Sequence, residues 1–136
     1  ITPASGFIGV PGGLILGLSG GIICYLSVDL IRSKLKIDDS LDVFAVHGVG
    51  GILGTLMVSF LALETFSGAG LAEEMSVNSQ FLAQLFGVVL TVVWTLIFTY
   101  IALKITSLFT SLRVEEQEEI EGLDLRSHGE RAYYND

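Results

Sequence analysis

The sequence predicts an all-α integral membrane fold, with three transmembrane helices followed by a polar tail. Three observations carry this prediction. Only 16% of the 136 residues are charged, against about a quarter in an ordinary soluble domain. The uncharged residues gather in three tracts, 10–28, 43–63 and 81–103, interrupted only by His47. Each tract is roughly twenty residues long, and a helix rising about 1.5 Å per residue then crosses a hydrocarbon core about 30 Å thick. One such tract would fit a buried core helix. Three of them leave too little polar surface for a soluble globule.

The first span is expected over about 10–31. Pro11 suits its first turn, where a missing N–H costs nothing. Gly13, Gly17 and Gly21 recur every four residues, and Gly20 and Cys24 extend the small-residue strip. Such a strip lets helix backbones approach closely where lipid supplies no hydrophobic drive. The second span is expected over about 42–63. Before it stands "IDDSLD", in which Asp39 is the expected N-cap and Asp42, three residues on, completes a variant of the capping box. Both carboxylates then sit near the positive end of the helix dipole. The third span is expected over about 81–105, with helical character reaching as far as Leu112, so that it tilts or projects beyond the bilayer. Gly87, Thr91, Thr95 and Thr99 form a small, hydroxyl-bearing stripe along it, and Trp94 at mid-span is expected to pack inward. Residues 1–112 thus form a membrane part. After Arg113 the composition turns acidic and polar, so residues 113–136 form a tail outside the membrane.

Charge placement predicts orientation. Arg32, Lys34 and Lys36 follow the first span, Lys104 and Arg113 follow the third, and Arg126 and Arg131 lie in the tail. The loop between spans two and three has no Lys or Arg. By the positive-inside rule Ile1 faces outward, and the 32–42 loop and the tail face the cytoplasm. The chain opens on "ITPASGF", which is expected to be the end of a preceding segment of a longer protein.

Several function classes are excluded by what the residues lack. Cys24 is the single cysteine, so no disulfide framework forms. Nothing resembles a nucleophile–base pair, a phosphate loop or a metal cluster, so neither an enzyme nor a cofactor is expected. Asp124, His128 and Glu130 in the tail lack diagnostic ligand spacing, and no metal is assigned to them. No nucleic-acid partner is expected. A rotary proteolipid subunit is also small and Gly-rich, but it needs a mid-membrane carboxylate, whereas Asp29 lies near the end of the first span and no other acid is inside a span.

The informative residue is His47. An ionisable side chain inside a span is by default functional, facing a cavity or a partner. On a helix, Val43, His47, Gly50, Gly51 and Gly54 share one face, so the imidazole is expected to point toward a close-packed interior. A neutral imidazole both donates and accepts a hydrogen bond, and burial lowers its pKa. It then passes protons, or holds a small polar molecule, without trapping a cation. The alternative is a packing histidine bonded to a backbone carbonyl of an adjacent helix.

"DDSLDVFAVHGVGGILGTL", residues 38–56, closely resembles the tenth transmembrane helix of ammonium transporters of the Amt/MEP/Rh family. "ITPASGF" and the Gly-rich span after it resemble the end of the eighth helix and the ninth. "EGLDLRSHGERAY" resembles the family's cytoplasmic C-terminal region and favours the Amt/MEP branch. The resemblance implies an eleven-helix subunit, a homotrimer and a hydrophobic pore in each subunit of a multi-pass plasma-membrane protein (the inner membrane in a bacterium). Ammonium is deprotonated and passes as NH3 along two histidines. His47 matches the second of these, and Val43, one turn earlier, matches an apolar pore-lining position. Asp39 and Asp42 match structural acids at the helix start. Gly122, Leu123, Asp124, His128, Gly129, Glu130 and Tyr133 match a regulatory tail that docks a PII signalling protein. An ammonium sensor of the same family, signalling through that tail, is the alternative. The "EGLDLRSHGERAY" segment is expected to be ordered and to dock against the basic 32–36 loop.

Overall fold

The structure is a computed structural model and describes residues 1–130. It is helical, with no strand among the described residues. Three helical stretches, Val10–Lys34, Phe44–Leu61 and Val77–Thr106, are long and apolar enough to cross a membrane. The chain divides into two compact units, 1–92 and the residues from Val93 onward.

In the first unit, α1 (Val10–Asp29) carries Pro11 in its first turn and runs on into a wide π turn at Leu30–Lys34. A second π turn, Phe44–Gly48, leads into α2 (Val49–Leu61). The two helices are antiparallel and meet along Gly12, Leu16, Gly20 and Cys24 of α1. A Cβ on Gly12 would come 3.2 Å from the Leu61 carbonyl, and one on Gly50 would come 3.1 Å from the Cys24 sulfur. The core lies at one end of this pair, where Ala4, Leu16, Val58, Leu61 and Ala62 are buried together. Ala4 reaches it from a short 3-10 turn, Thr2–Ala4, that straps across α2. Ile1 lies in the notch left by Gly54, where a Cβ would come 2.8 Å from the Ile1 Cα.

Within this chain the expected close-packing stripe is not the one that α1 turns toward α2. Gly13, Gly17 and Gly21 are exposed, and so is the space where a Cβ of Gly51 would stand; none has another atom within 4 Å of that position. The face that α1 buries is the neighbouring one, Gly12–Leu16–Gly20. Both stripes repeat every four residues and lie one residue, about 100°, apart. Periodicity alone does not choose between them.

The loop after α2 closes back on the amino-terminal strap. Ala69 N–H donates to the Phe7 carbonyl at 2.9 Å. A Cβ on Gly9 would overlap the Ser67 carbonyl, and one on Gly68 would overlap the Ala62 carbonyl. Ser67 itself is left-handed, at φ 56°. The Phe60 and Phe81 rings meet at 5.6 Å and join the end of α2 to the start of the next helix, α3 (Val77–Thr106).

Helix α3 spans Val77–Thr106, thirty residues, or roughly 45 Å at helical rise. It begins four residues before its apolar tract because Ser76 and Ser79 cap it reciprocally. The Ser79 N–H donates to Ser76 Oγ at 3.1 Å and the Ser76 N–H to Ser79 Oγ at 3.0 Å. It ends at Thr106, short of Leu112. There the backbone tightens, with the Leu108 N–H donating to Ile105 at 3.1 Å and Ser107 Oγ donating to the Lys104 carbonyl at 2.8 Å.

In the second unit Trp94 is exposed and stacks on Phe98 at 4.2 Å, one turn along α3. The expected inward packing of Trp94 is therefore not made within this unit. Beyond α3, Glu116–Glu121 form the short α4, and Asp124–His128 form a third π turn. Arg113 grips Glu119 with two nitrogens, at 2.6 and 2.9 Å, and Arg126 reaches Glu118 and Glu121 at 3.6 and 3.5 Å. The two arginines bracket an acidic helix that would otherwise repel itself.

Candidate functional site

The site is built around the entry to α2. Asp39 stands just before it, and its carboxylate accepts the N–H groups of Val43 at 2.8 Å, Phe44 at 3.0 Å and Ala45 at 3.3 Å. Three of the four N–H groups that a helix start leaves without partners are thus satisfied by one side chain. Asp42 does not return to Asp39 in the manner of a capping box. The Asp39 N–H is taken by the Ile37 carbonyl at 3.0 Å, while the Asp42 carboxylate turns outward to Arg32 at 3.4 Å. Asp42 is left-handed, at φ 54°, and this points its side chain away from the helix axis.

His47 lies within the π turn that follows. The Val49 N–H reaches back five residues to the Phe44 carbonyl, so one more residue is wound into this turn than an α-helix would hold. The glycine at position 48 leaves room for the Phe44 ring, which would come 2.9 Å from a Cβ there. The Cys24 thiol of α1 donates to the Val46 carbonyl at 3.8 Å.

Of the residues expected on one face, His47, Gly50 and Gly51 border the same cavity. Gly50 and Gly54 are buried against α1 and the strap, whereas Val43 and His47 are exposed. His47 therefore does not point into a close-packed interior of this chain. It lines an open cavity of about 560 Å³ with Val46, Gly50 and Gly51 of its own span, Gly20, Gly21 and Cys24 of α1, and the strap. Glycines dominate one wall because side chains there would fill the space. No described side chain or carbonyl hydrogen-bonds the imidazole, so the packing alternative has no partner in residues 1–130.

Among the described residues no group of three or more His, Cys, Asp or Glu side chains could hold a metal ion. The tail residues lie away from this cavity in sequence and in unit. Gly122 and Gly129 adopt positive φ, 92° and 67°, and bracket the π turn containing Asp124 and His128. Leu123 is half-exposed, and Glu130 is exposed. Tyr133 lies outside the described residues.

Sequence reasoning did not find the Cys24–Val46 contact or the Arg32–Asp42 pair. The four-residue spacing of Gly20 and Cys24 signalled the first only as packing. The second joins residues ten apart across an irregular loop, and no periodicity marks it.

A family model described as the Ammonium Transporter Family matches residues 1–133. The chain is 45% identical over 135 residues to an ammonium transporter of Archaeoglobus fulgidus, covering 98% of this chain and 34% of that protein. It is 41% identical over 135 residues to a putative ammonium transporter of Methanothermobacter thermautotrophicus, with 98% and 33% coverage. Against an ammonium transporter of Bacillus subtilis it is 38% identical over 135 residues, again covering 98% and 33%. The chain spans about a third of the length of these curated relatives.

Proposed function

The chain belongs to the ammonium transporter family, and from that premise we propose that it supplies part of the path by which ammonium nitrogen crosses the membrane. In this reading His47 is a pore residue, and Val43, one turn before it, lines the same path. The observation that carries it is the placement of His47. It is an ionisable group in a span with no other charge, set by a capped π turn, exposed to a glycine-walled cavity and unbonded among the described residues.

The chemistry follows from the surroundings. An ammonium ion is poorly solvated by an apolar wall, so NH4⁺ passes its proton to water at the entrance of the path and moves on as neutral NH3. A neutral imidazole accepts a hydrogen bond from NH3 on one nitrogen and donates one from the other. It replaces some of the lost hydration without adding a fixed charge. The remainder of the path, including any second histidine, comes from parts of the protein outside this chain. The proposal includes a cytoplasmic tail, with Ile1 on the outer side, and that orientation rests on the distribution of all seven Lys and Arg residues. Assembly as a trimer rests on the family resemblance of the whole chain, and a PII partner at the tail on that of "EGLDLRSHGERAY".

The test is uptake of radiolabelled methylammonium by the full-length protein in membrane vesicles. His47→Ala should lower uptake by at least about ten-fold and let alkali cations pass, because a wider, wetter path no longer excludes charge. Unchanged uptake and selectivity in a correctly assembled variant would remove His47 from the path.

A further inference from the structure

We infer that Arg32 is a positioning residue for the turn that carries His47, an inference that rests on the pore reading of that histidine. Two wide turns end the facing spans on the same side, Leu30–Lys34 on α1 and Phe44–Gly48 before α2. Arg32 lies in the first, and its Nη1 meets Asp42 Oδ1, just ahead of the second, at 3.4 Å.

Asp42 has two tasks there. Its carbonyl accepts the Val46 N–H at 2.8 Å, the bond that starts the turn one residue before His47. Its carboxylate holds Arg32. Both depend on its left-handed backbone, φ 54°, a conformation that costs an L-residue free energy and is best tolerated by Asp and Asn. Asp39 already satisfies the N–H groups of residues 43–45, so a helix start exists without Asp42's side chain. What the ion pair adds is direction. With Arg32 in place, the carboxylate is drawn outward and the left-handed geometry is held. Without it, residue 42 is free to relax to an ordinary conformation and swing its carbonyl off Val46.

The pair is half-exposed on the arginine side, 52% against 29% for the aspartate, so its effect on global stability is small. A local effect on Val46 and His47 is the consequence that distinguishes positioning from general stabilisation.

The experiment uses the full-length protein with four variants: Arg32→Gln, Arg32→Lys, Asp42→Asn and the double Arg32→Gln/Asp42→Asn. Asn keeps the tolerance for left-handed backbone and removes only the charge. Two quantities are read, amide hydrogen exchange at Val46 and His47 and the kinetics of methylammonium uptake. Arg32→Gln and Asp42→Asn should each speed exchange at those two amides and lower the maximal uptake rate about five-fold, with KM unchanged. The double variant should be no worse than either single one, because both remove the same interaction. Arg32→Lys, which keeps the charge, should restore most of the rate. Unchanged exchange at Val46 and His47 in Arg32→Gln overturns the inference whatever uptake does, as does a lysine variant as impaired as the glutamine one. A wild-type protein that moves no methylammonium would instead overturn the pore reading, and exchange would still decide the role of Arg32.

Discussion

At the scale of single residues, the glycines divide into those that a neighbour presses on and those that face open space. Gly9 and Gly54 are of the first kind, since a Cβ on either would meet backbone atoms that cannot rotate away. Gly9→Ala and Gly54→Leu should therefore destabilise the folded protein by about 1–3 kcal/mol or more, the range for overpacking. Thermal unfolding in detergent checks this. Gly17 is of the second kind within this chain, and Gly17→Ala should leave the midpoint unchanged or raise it slightly through helix propensity. A large loss there would show that another part of the protein covers that stripe.

At the scale of elements, each helix start has its own chemical reason. Helix α3 begins at Ser76 through the reciprocal serine cap, and the turn before α2 begins through one carboxylate. Asp39→Ala strands three N–H groups and should cost about 0.5–2 kcal/mol. The loss should be visible first as faster amide exchange at Val43, Phe44 and Ala45. The tail helix α4 depends on charge. The hydrogen bond from Arg113 is the main cause holding the Glu119 carboxyl below its ordinary range; desolvation opposes it, and the Coulombic attraction of Arg113 adds a lesser part. A depressed carboxyl contributes order that is present above its unfolded value and is lost as pH falls through the folded one. Residues 116–121 should therefore keep their structure at neutral pH and lose it at acid pH below the ordinary glutamate range. Carboxyl-carbon NMR of Glu119 measures this, and Arg113→Gln should move the transition up toward the unperturbed value.

At the scale of the whole molecule, the prediction concerns sidedness. All the basic residues lie on one side of the three spans, so the loop at 67–76 should be outside. In a Cys24→Ala background, Ala72→Cys should react with an impermeant thiol reagent in intact cells. Labelling only after permeabilisation would reverse the assignment. Deleting residues 120–136 removes Gly122 and both members of the Arg126–Glu121 pair but nothing from the first unit. The truncated protein should assemble and unfold near the wild-type temperature, with altered uptake as the expected change.

Which features were legible in advance follows from how each is encoded. Three apolar tracts are sufficient to specify three spans, because lipid leaves a backbone no option but internal hydrogen bonds. The capping carboxylate of Asp39 and the anomalous His47 are likewise local: each stands out against its immediate neighbours. The same locality limited the reading of α1. The stripes at 12, 16, 20 and at 13, 17, 21 have the same period, and only the position of α2 selects the first. The π turn is not written in any motif, and a face drawn on an ideal helix does not show that Val43 and His47 are exposed while Gly54 is buried under Ile1. Arg32 and Asp42 meet because two turns bring them together across a loop. The sequence by itself determined which segments enter the membrane and which residue there is chemically out of place. Only the tertiary structure decided which faces touch and where the histidine points, because those depend on contacts between residues distant along the chain.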